Sequence, residues 1–266
     1  MGRMGKTYSE VLTQEIKKSW DRCSAKLLPR NLDKVVTIDK EQKEILISRY
    51  ILLINLFRNI VKDAVKHLEK GLLFFLLDKG GYLLDYIGNI TEEEPDFPIS
   101  VGMSFREEDI GTNAVSMAIR MGKGVSLTPD DHYCYIFHNW YCYAAPIILN
   151  GEVIAYLDIS TIDEKMEKEL IVITNLIISL INKELTYCKD FNTSGINTKI
   201  SKLSDKQIEV LRLLSSGMTE ERVGEELRIS VNTVKYHKKK IYAVLGTNNL
   251  PSAIVKAIEV GLINTA

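Results

Sequence analysis

Apolar positions along this chain follow two periods, and the switches between them outline its elements. Residues 7–30 carry Val11, Ile16, Trp20, Cys23 and Leu27 as a rough helical stripe that ends near Pro29. Asp39 is placed to cap a longer helix running to Gly71, with Ile45, Leu46, Leu52, Leu53, Leu56, Phe57, Ile60 and Val61 on more than one face. Two apolar runs follow, 72–78 and 82–87, separated by Gly80-Gly81, which predicts a hairpin. The acidic segment 90–98, with Pro95 and Pro98, reads as a loop. A helix is expected over 111–121, starting near Thr112 or Asn113, and a short strand over 125–127. Runs 141–149 and 152–159 flank Asn150-Gly151, a type I′ turn signal, and a broadly apolar helix spans 164–189. This order predicts an α+β domain, an antiparallel sheet flanked by helices.

The polar stretch 189–202 reads as a linker, and the pattern beyond it changes to four short helices. Ser204 caps the first, with Ile208, Leu211 and Leu214 inward and Gly217 at its end. Thr219 opens the second, with Val223 and Leu227 facing in. Ser230 caps the third, with Val231, Val234, Ile241 and Leu245 inward, and Pro251 suits the first turn of the fourth, whose stripe is Ala253, Ile254, Ala257, Ile258 and Leu262. The third helix carries Lys235, Lys238, Lys239 and Lys240 around Tyr236 and His237. A capped second helix of a close pair, studded with lysines, is the reading head of a helix-turn-helix. A solvated lysine face on an ordinary helix is the plain alternative.

Charge sharpens that picture. From Lys202 onward ten Lys/Arg face seven Asp/Glu, giving +3 in a chain of net charge −1. A nucleic-acid contact confined to the tail fits this split. The four cysteines (23, 134, 142 and 188) form no CxxC pair, so no disulfide framework is indicated. The first residues lack the apolar core of a cleavable signal. The most apolar window, 170–181, is too short and too polar to span a bilayer, so no membrane contact and a cytoplasmic location are expected.

Residues 203–263 closely resemble the LuxR-type (GerE-like) DNA-binding domain, through Leu203-Ser204, Glu209-Val210-Leu211, Gly217, Leu227, Ile229-Ser230, Thr233-Val234-Lys235, His237, Ile241, Leu245-Gly246, Ala253 and Gly261-Leu262-Ile263. Gln207 and Leu250 replace a usual Glu and Arg, which removes an ion pair, and Gly224 replaces a usual Ala, which should weaken its helix by up to about 1 kcal/mol. The resemblance implies that Lys235, Tyr236 and Lys239 face base edges and that Ser230, Asn232, Thr233 and Lys238 contact phosphates. The preceding domain resembles a GAF domain, specifically the sensor of acetoin-catabolism-type transcriptional activators. Phe105-Arg106-Glu107, Gly111-Thr112-Asn113-Ala114, His132-Tyr133-Cys134, His138-Asn139-Trp140, Cys142, Ala144-Ala145-Pro146-Ile147, Gly151-Glu152 and Leu157-Asp158-Ile159-Ser160 carry it, with Ser19-Trp20 and Arg22-Cys23 ahead of them. Those activators carry an ATPase module after the sensor. Here there is no Walker A pattern, and the LuxR-type head stands in its place.

His132, Cys134, His138 and Cys142 fall within eleven residues, among aromatic side chains. Three readings stay open. These residues pack and cap a core; or they line a metabolite pocket; or they form a metal or thiol-redox switch, although H-x-C-x3-H-x3-C is not a standard zinc spacing. The pocket reading names Phe105, Asn113, Cys134, His138, Trp140 and Cys142 as ligand contacts, with no metal or other cofactor. The resemblance implies a hydroxyketone, ketone or alcohol. Asp130-Asp131-His132 reads as a solvated loop or cap, and no catalytic arrangement is apparent, so an enzyme is not expected.

The expected organisation is a helical extension (1–39), a GAF-like sensor (40–188), a linker (189–202) and an all-α LuxR-type head (203–266). The expected function is a one-component transcription regulator that senses a small metabolite. It would bind an inverted-repeat DNA operator as a homodimer held by the long sensor helices, with a weaker contact between heads through Ile254, Ala257 and Ile258. RNA polymerase is a further partner such a regulator can take.

Overall fold

The computed structural model describes residues 7–66, 68, 71–88, 99–187, 203–245, 247–259 and 262–263. The acidic loop 90–98, the linker 189–202, Cys188, Gly246 and Gly261 lie outside the described residues.

Helices α1 (Tyr8–Ala25) and α2 (Lys40–Val65) lead into strands β1 (Leu72–Asp78) and β2 (Leu83–Gly88). Then come α3 (Glu107–Ile110), α4 (Ala114–Met121), β3 (Val125–Leu127), β4 (Trp140–Leu149), β5 (Glu152–Ile162) and α5 (Lys168–Tyr187). The five strands form one antiparallel sheet in the order β2-β1-β5-β4-β3. Both expected hairpins are present. At the second, Asn150 and Gly151 take φ of 51° and 83°, the paired left-handed geometry of a type I′ turn. At the first, Asp78 Oδ1 accepts from the Gly80 and Tyr82 amides at 2.9 and 2.8 Å.

The sheet is covered on both faces, which is why β1 is buried at every position. On one face Phe74, Leu76, Leu157 and Ile159 pack under α2 and α5, meeting Leu53, Phe57, Ile177 and Ile181. On the other, Leu73, Phe75, Leu77, Ala144 and Tyr156 pack against Ala114, Val115, Met117 and Ala118 of α4 and against Phe105 and Phe137 from its loops. Alternation along β5 therefore aims Asp158 and Ser160 at this second layer.

Helix α1 and three short turns depart from expectation. Helix α1 stops at Ala25 because Leu27 turns left-handed (φ 56°), with its amide on Ser24 O (3.0 Å) and the Leu28 amide on Cys23 O (3.1 Å). That is a Schellman stop made without glycine, so the sequence hides it. The single turn α3 and the 3-10 turns 129–131 and 135–137 are too short to show a period. Helix α1 packs on the sensor along its length. Tyr8 Oη donates to Gly124 O (2.6 Å), Ser19 Oγ donates to Glu107 (2.6 Å), and Trp20 Nε1 donates to Asp131 O (3.0 Å).

The C-terminal unit comprises α6 (Asp205–Ser215), α7 (Glu220–Leu227), α8 (Val231–Leu245) and α9 (Leu250–Glu259), around Val210, Leu211, Leu214, Val223, Val234, Ile241, Leu245, Ala253 and Ala257. Ser204 and Gln207 form a capping box, and the Gly217 and Met218 amides close α6 on Leu214 O and Leu213 O. Val231 is only half-buried, and Val210 takes an inward place instead. Ala257 is fully buried, with Ile254 and Ile258 packed on the same core. That stripe is therefore used in part within the unit, and Ile254 and Ile258 keep some exposed surface.

Candidate sensor cavity and nucleic-acid interface

The sensor's interior cavity lies on the α4 side of the sheet, where β5 and β4 meet the loops that enclose α4. It measures about 10 Å³, room for about one water molecule. Its walls include Phe75, Phe105, Phe137 and Trp140. Phe75 stacks on Trp140 at 6.2 Å, and Phe137 meets Trp140 edge-on at 5.6 Å. Its polar lining is Asn113, His132, Cys142, Asp158 and Ser160.

Each polar group has a defined state. Asn113 caps α4: its Oδ1 accepts from the Ser116 amide (3.0 Å), while Nδ2 donates to Phe105 O (2.9 Å) and Gly111 O (2.8 Å). Its amide donors are thus spent on the turn. Gly111 in that turn has φ 72°, and a side chain there would strike the Tyr133 ring at 2.8 Å. His132 has no exposed surface, and its Nδ1 lies 3.0 Å from Thr128 O. A carbonyl only accepts, so Nδ1 carries the proton and Nε2 presents a lone pair; among the described residues Nε2 has no hydrogen-bond partner. Burial lowers the imidazole pKa to about 4, so the ring is neutral. Burial raises the Asp158 carboxyl to about 7, against the hydrogen bond from Ser160 Oγ (2.7 Å). Cys142, paired with Ser160 across the β4–β5 ladder, has its Sγ 3.2 Å from the same hydroxyl. Its thiol is pushed well above the usual range by burial and by Asp158.

Of the expected ligand contacts, the structure gathers Phe105, Asn113, Trp140 and Cys142 at the cavity and places two elsewhere. His138 is exposed and stands edge-on to Tyr135 at 4.5 Å. Cys134 is buried in a separate cluster with Cys23 and Tyr133, under Trp20, and burial, with the Cys23 thiol beside it, pushes its own thiol up to about 12. The 3-10 turn at 135–137 reverses the chain between them, so closeness in sequence does not become convergence in space. The four-residue His/Cys switch is therefore not assembled. Among the described residues, no three His, Cys, Asp or Glu side chains group as a metal site. Buried thiols held protonated are also poor redox sensors. Asp158, Ser160, Phe75 and Phe137 were not singled out as site residues. Only the even spacing of Asp158 and Ser160 on an otherwise apolar strand could have flagged two of them.

In the C-terminal unit, Ser230 Oγ accepts from the Thr233 amide (3.1 Å) and caps α8. Asn232, Lys235, Tyr236 and Lys239 project from one exposed face of that helix, while Val234 and Ile241 anchor the opposite face. Thr233 is half-buried beside Ser230, 2.8 Å from its hydroxyl. Lys238 turns aside to form an ion pair with Glu220 at the start of α7, and Lys235 reaches the same carboxylate at 4.0 Å. Arg228 takes a left-handed φ of 53° to end α7, and the turn into α8 follows at once. Two helices joined by a three-residue turn, the second capped and cationic outside, form a helix-turn-helix.

Residues 201–257 match the family described as bacterial regulatory proteins, luxR family. The C-terminal domain belongs to the luxR family. Over 63 residues the chain is 41% identical to the HTH-type transcriptional regulator AlkS of Alcanivorax borkumensis, covering 24% of this chain and 7% of that protein. Over 158 residues it is 26% identical to the acetoin dehydrogenase operon transcriptional activator AcoR of Bacillus subtilis, covering 56% of this chain and 26% of AcoR. Over 150 residues it is 27% identical to the oxygen regulatory protein NreC of Staphylococcus epidermidis, covering 56% of this chain and 68% of NreC. The chain thus spans at most about a quarter of AlkS and AcoR. Among solved structures, the Escherichia coli DhaR(N)–DhaL complex shares the fold, with a TM-score of 0.57, 21% identity, and coverage of 63% of this chain and 58% of that one. The luxR-family head thus follows an α+β unit that shares its fold with a chain of that complex. Among the described residues, no helix is long and apolar enough to cross a membrane.

Proposed function

We propose that the protein is a one-component transcription regulator. The luxR-family head binds double-stranded DNA, and the GAF-like domain binds a small molecule that controls it. The observation that carries this reading is the exposed face of α8, where Asn232, Lys235, Tyr236 and Lys239 make no core contact on a helix capped by Ser230. A side-chain set left out of the core, cationic and on the second helix of the motif, suits a major groove. Lys235, Tyr236 and Lys239 face base edges, and Ser230, Asn232 and Thr233 lie toward phosphates. Lys238 joins the phosphate contacts by leaving Glu220.

Assembly is through the sensor. Val172, Leu176 and Leu180 recur every fourth residue on α5 and are each about half exposed or more, and Ile45 on α2 is exposed as well. A homodimer covers that stripe and presents two heads to an inverted-repeat operator. RNA polymerase is the downstream partner in this reading. The test is selection of binding sites from random duplexes with the full-length protein. Enrichment of an inverted repeat that Lys239→Ala no longer selects supports the reading, and enrichment of nothing over background refutes it. Native mass spectrometry of the purified protein tests separately for a small bound molecule.

A further inference from the structure

The loop from Asp131 to His138 has two sides. Inward, His132 and Phe137 line the sensor cavity. Outward, the residues between them are tied to the segment that follows α1. The carbonyls of Leu28, Pro29 and Arg30 accept in turn from Tyr133 Oη (3.0 Å), Cys134 Sγ (3.6 Å) and the Tyr135 amide (2.8 Å). Arg30 Nε donates back to Tyr133 O at 3.1 Å. Its guanidinium lies 4.7 Å from the ring centroids of both Trp20 and Tyr135 and 5.6 Å from that of Tyr133. Arg30 is thus the hub of these ties, through one hydrogen bond and the faces of three rings.

The cavity, at about 10 Å³, holds no more than about one water, so anything larger has to displace a wall. The walls differ in how they are held. Phe75, Cys142, Asp158 and Ser160 stand on β1, β4 and β5, which are paired with a neighbour on each side. Ala114 and Val115 belong to the capped first turn of α4. The 131–138 loop is held instead by turn and side-chain contacts, chiefly those to residues 28–30. We propose that residues 28–30 are a latch on this wall, and that release of Arg30 lets the loop move outward and opens the cavity to solvent. The purpose of such an opening, entry of an effector, rests on the small-molecule reading above; the opening itself follows from this fold alone. The extension ahead of the sensor then sets how fast the cavity exchanges, and so forms part of the sensor.

Two buried thiols report the movement. Cys142 lines the cavity, and Cys134 lies beneath the latch. The full-length protein is treated with methyl methanethiosulfonate at several urea concentrations below its unfolding transition, and peptide mass mapping gives the rate at each cysteine. Local opening gives a rate nearly flat in urea, whereas global unfolding gives one that rises steeply, because only the latter exposes the whole core. Wild-type Cys134 and Cys142 are expected to react slowly, at urea-flat rates. Arg30→Ala is expected to speed both by about tenfold with the same flat dependence, since it removes a hydrogen bond and the cation over the rings. Tyr133→Phe, which removes only the hydroxyl bond to Leu28 O, is expected to give a smaller increase of the same kind, and it decides the matter should Arg30→Ala not fold. A Cys142 rate that neither variant changes, or one that rises in urea as steeply as global unfolding, overturns the latch and leaves small-molecule sensing standing. Failure of the sensor reading would appear elsewhere, as DNA binding that no small molecule alters.

Discussion

Arg22 grips Glu107 across 85 positions of sequence, through Nε to Oε1 at 2.6 Å and Nη2 to Oε2 at 2.7 Å. Ser19 adds a third hydrogen bond to the same carboxylate and touches Thr112 at 2.7 Å, next to the cap of α4. Burial raises the Glu107 pKa, but the hydrogen bonds from Arg22 and Ser19 win, and the group is held below its ordinary value. The leading helix is therefore clamped to the sensor by a bidentate pair, the strong form of such contacts. Both side chains keep some solvent, so Arg22→Ala should cost about 1–2 kcal/mol. A truncation beginning at residue 31 should lower the melting temperature of the sensor as well as shorten the chain. Thermal melts of the two variants check this; a truncation that melts like the full chain would mean the clamp stabilises nothing.

The cavity predicts a crossed dependence on pH. His132 titrates near 4 when folded and near its ordinary 6.5 when unfolded, so its contribution to stability is full above 6.5 and is lost as pH falls toward 4. Asp158 titrates near 7 when folded and near 3.8 when unfolded, so its contribution is full below 3.8 and is lost as pH rises through 7. Between pH 4 and 6.5 the two slopes oppose each other. Removing one should expose the other: Asp158→Asn should gain stability steeply from pH 4 to 6.5, and His132→Gln should lose it over the same range. Denaturant midpoints at half-unit intervals are the measurement. Parallel pH profiles for the two variants would contradict the assigned protonation states.

At the head, Glu220 is the control point. It holds the Lys238 ammonium and lies 4.0 Å from that of Lys235, so two cations beside the reading face are partly neutralised before DNA arrives. Glu220→Gln should raise affinity for all duplexes and steepen the salt dependence by up to about one unit. Lys238→Ala should do the reverse, equally for every sequence, and Tyr236→Ala should relax discrimination with little change in salt slope. Fluorescence anisotropy at three salt concentrations, on operator and random duplexes, separates these effects.

Much of this architecture is legible in the chain. The Asn150-Gly151 hairpin, the Asn113 start of α4 and the Ser204 capping box are local chemistry, and their residues announce them. What stayed hidden is tertiary. His138 and His132 are six residues apart, and no periodicity shows that one faces solvent and the other the cavity. Asp158 looks like a solvent-facing residue of a half-buried strand until both faces of the sheet are covered. Gly224 is the sharpest case. Propensity alone makes it a flaw that Ala would mend by up to about 1 kcal/mol. In the structure, however, a Cβ at Gly224 would lie 2.9 Å from the Ile229 carbonyl oxygen. Gly224→Ala is therefore expected to lower the melting temperature of the head rather than raise it, because the turn into α8 has to open.

The proposed dimer seam can be tested without disturbing the fold. Leu176 is 58% exposed, midway along the stripe with Val172 and Leu180, whereas Ile177 and Ile181 on the same helix are buried under the sheet. A charge at 176 enters solvent in a monomer and a desolvated seam in a dimer. Leu176→Glu should therefore leave the monomer's stability within about 0.5 kcal/mol while weakening self-association, since an unpaired carboxylate in an apolar interface is costly. Operator binding should weaken in step, because two linked heads gain from effective concentration and separate heads do not. Sedimentation velocity over a range of micromolar concentrations, with anisotropy on a full inverted repeat and on a half-site, reads all three. The expected pattern is a wild-type dimer, a Leu176→Glu monomer, and loss of binding to the full site but not to the half-site. A Leu176→Glu protein that still sediments as a dimer would place the seam on another face.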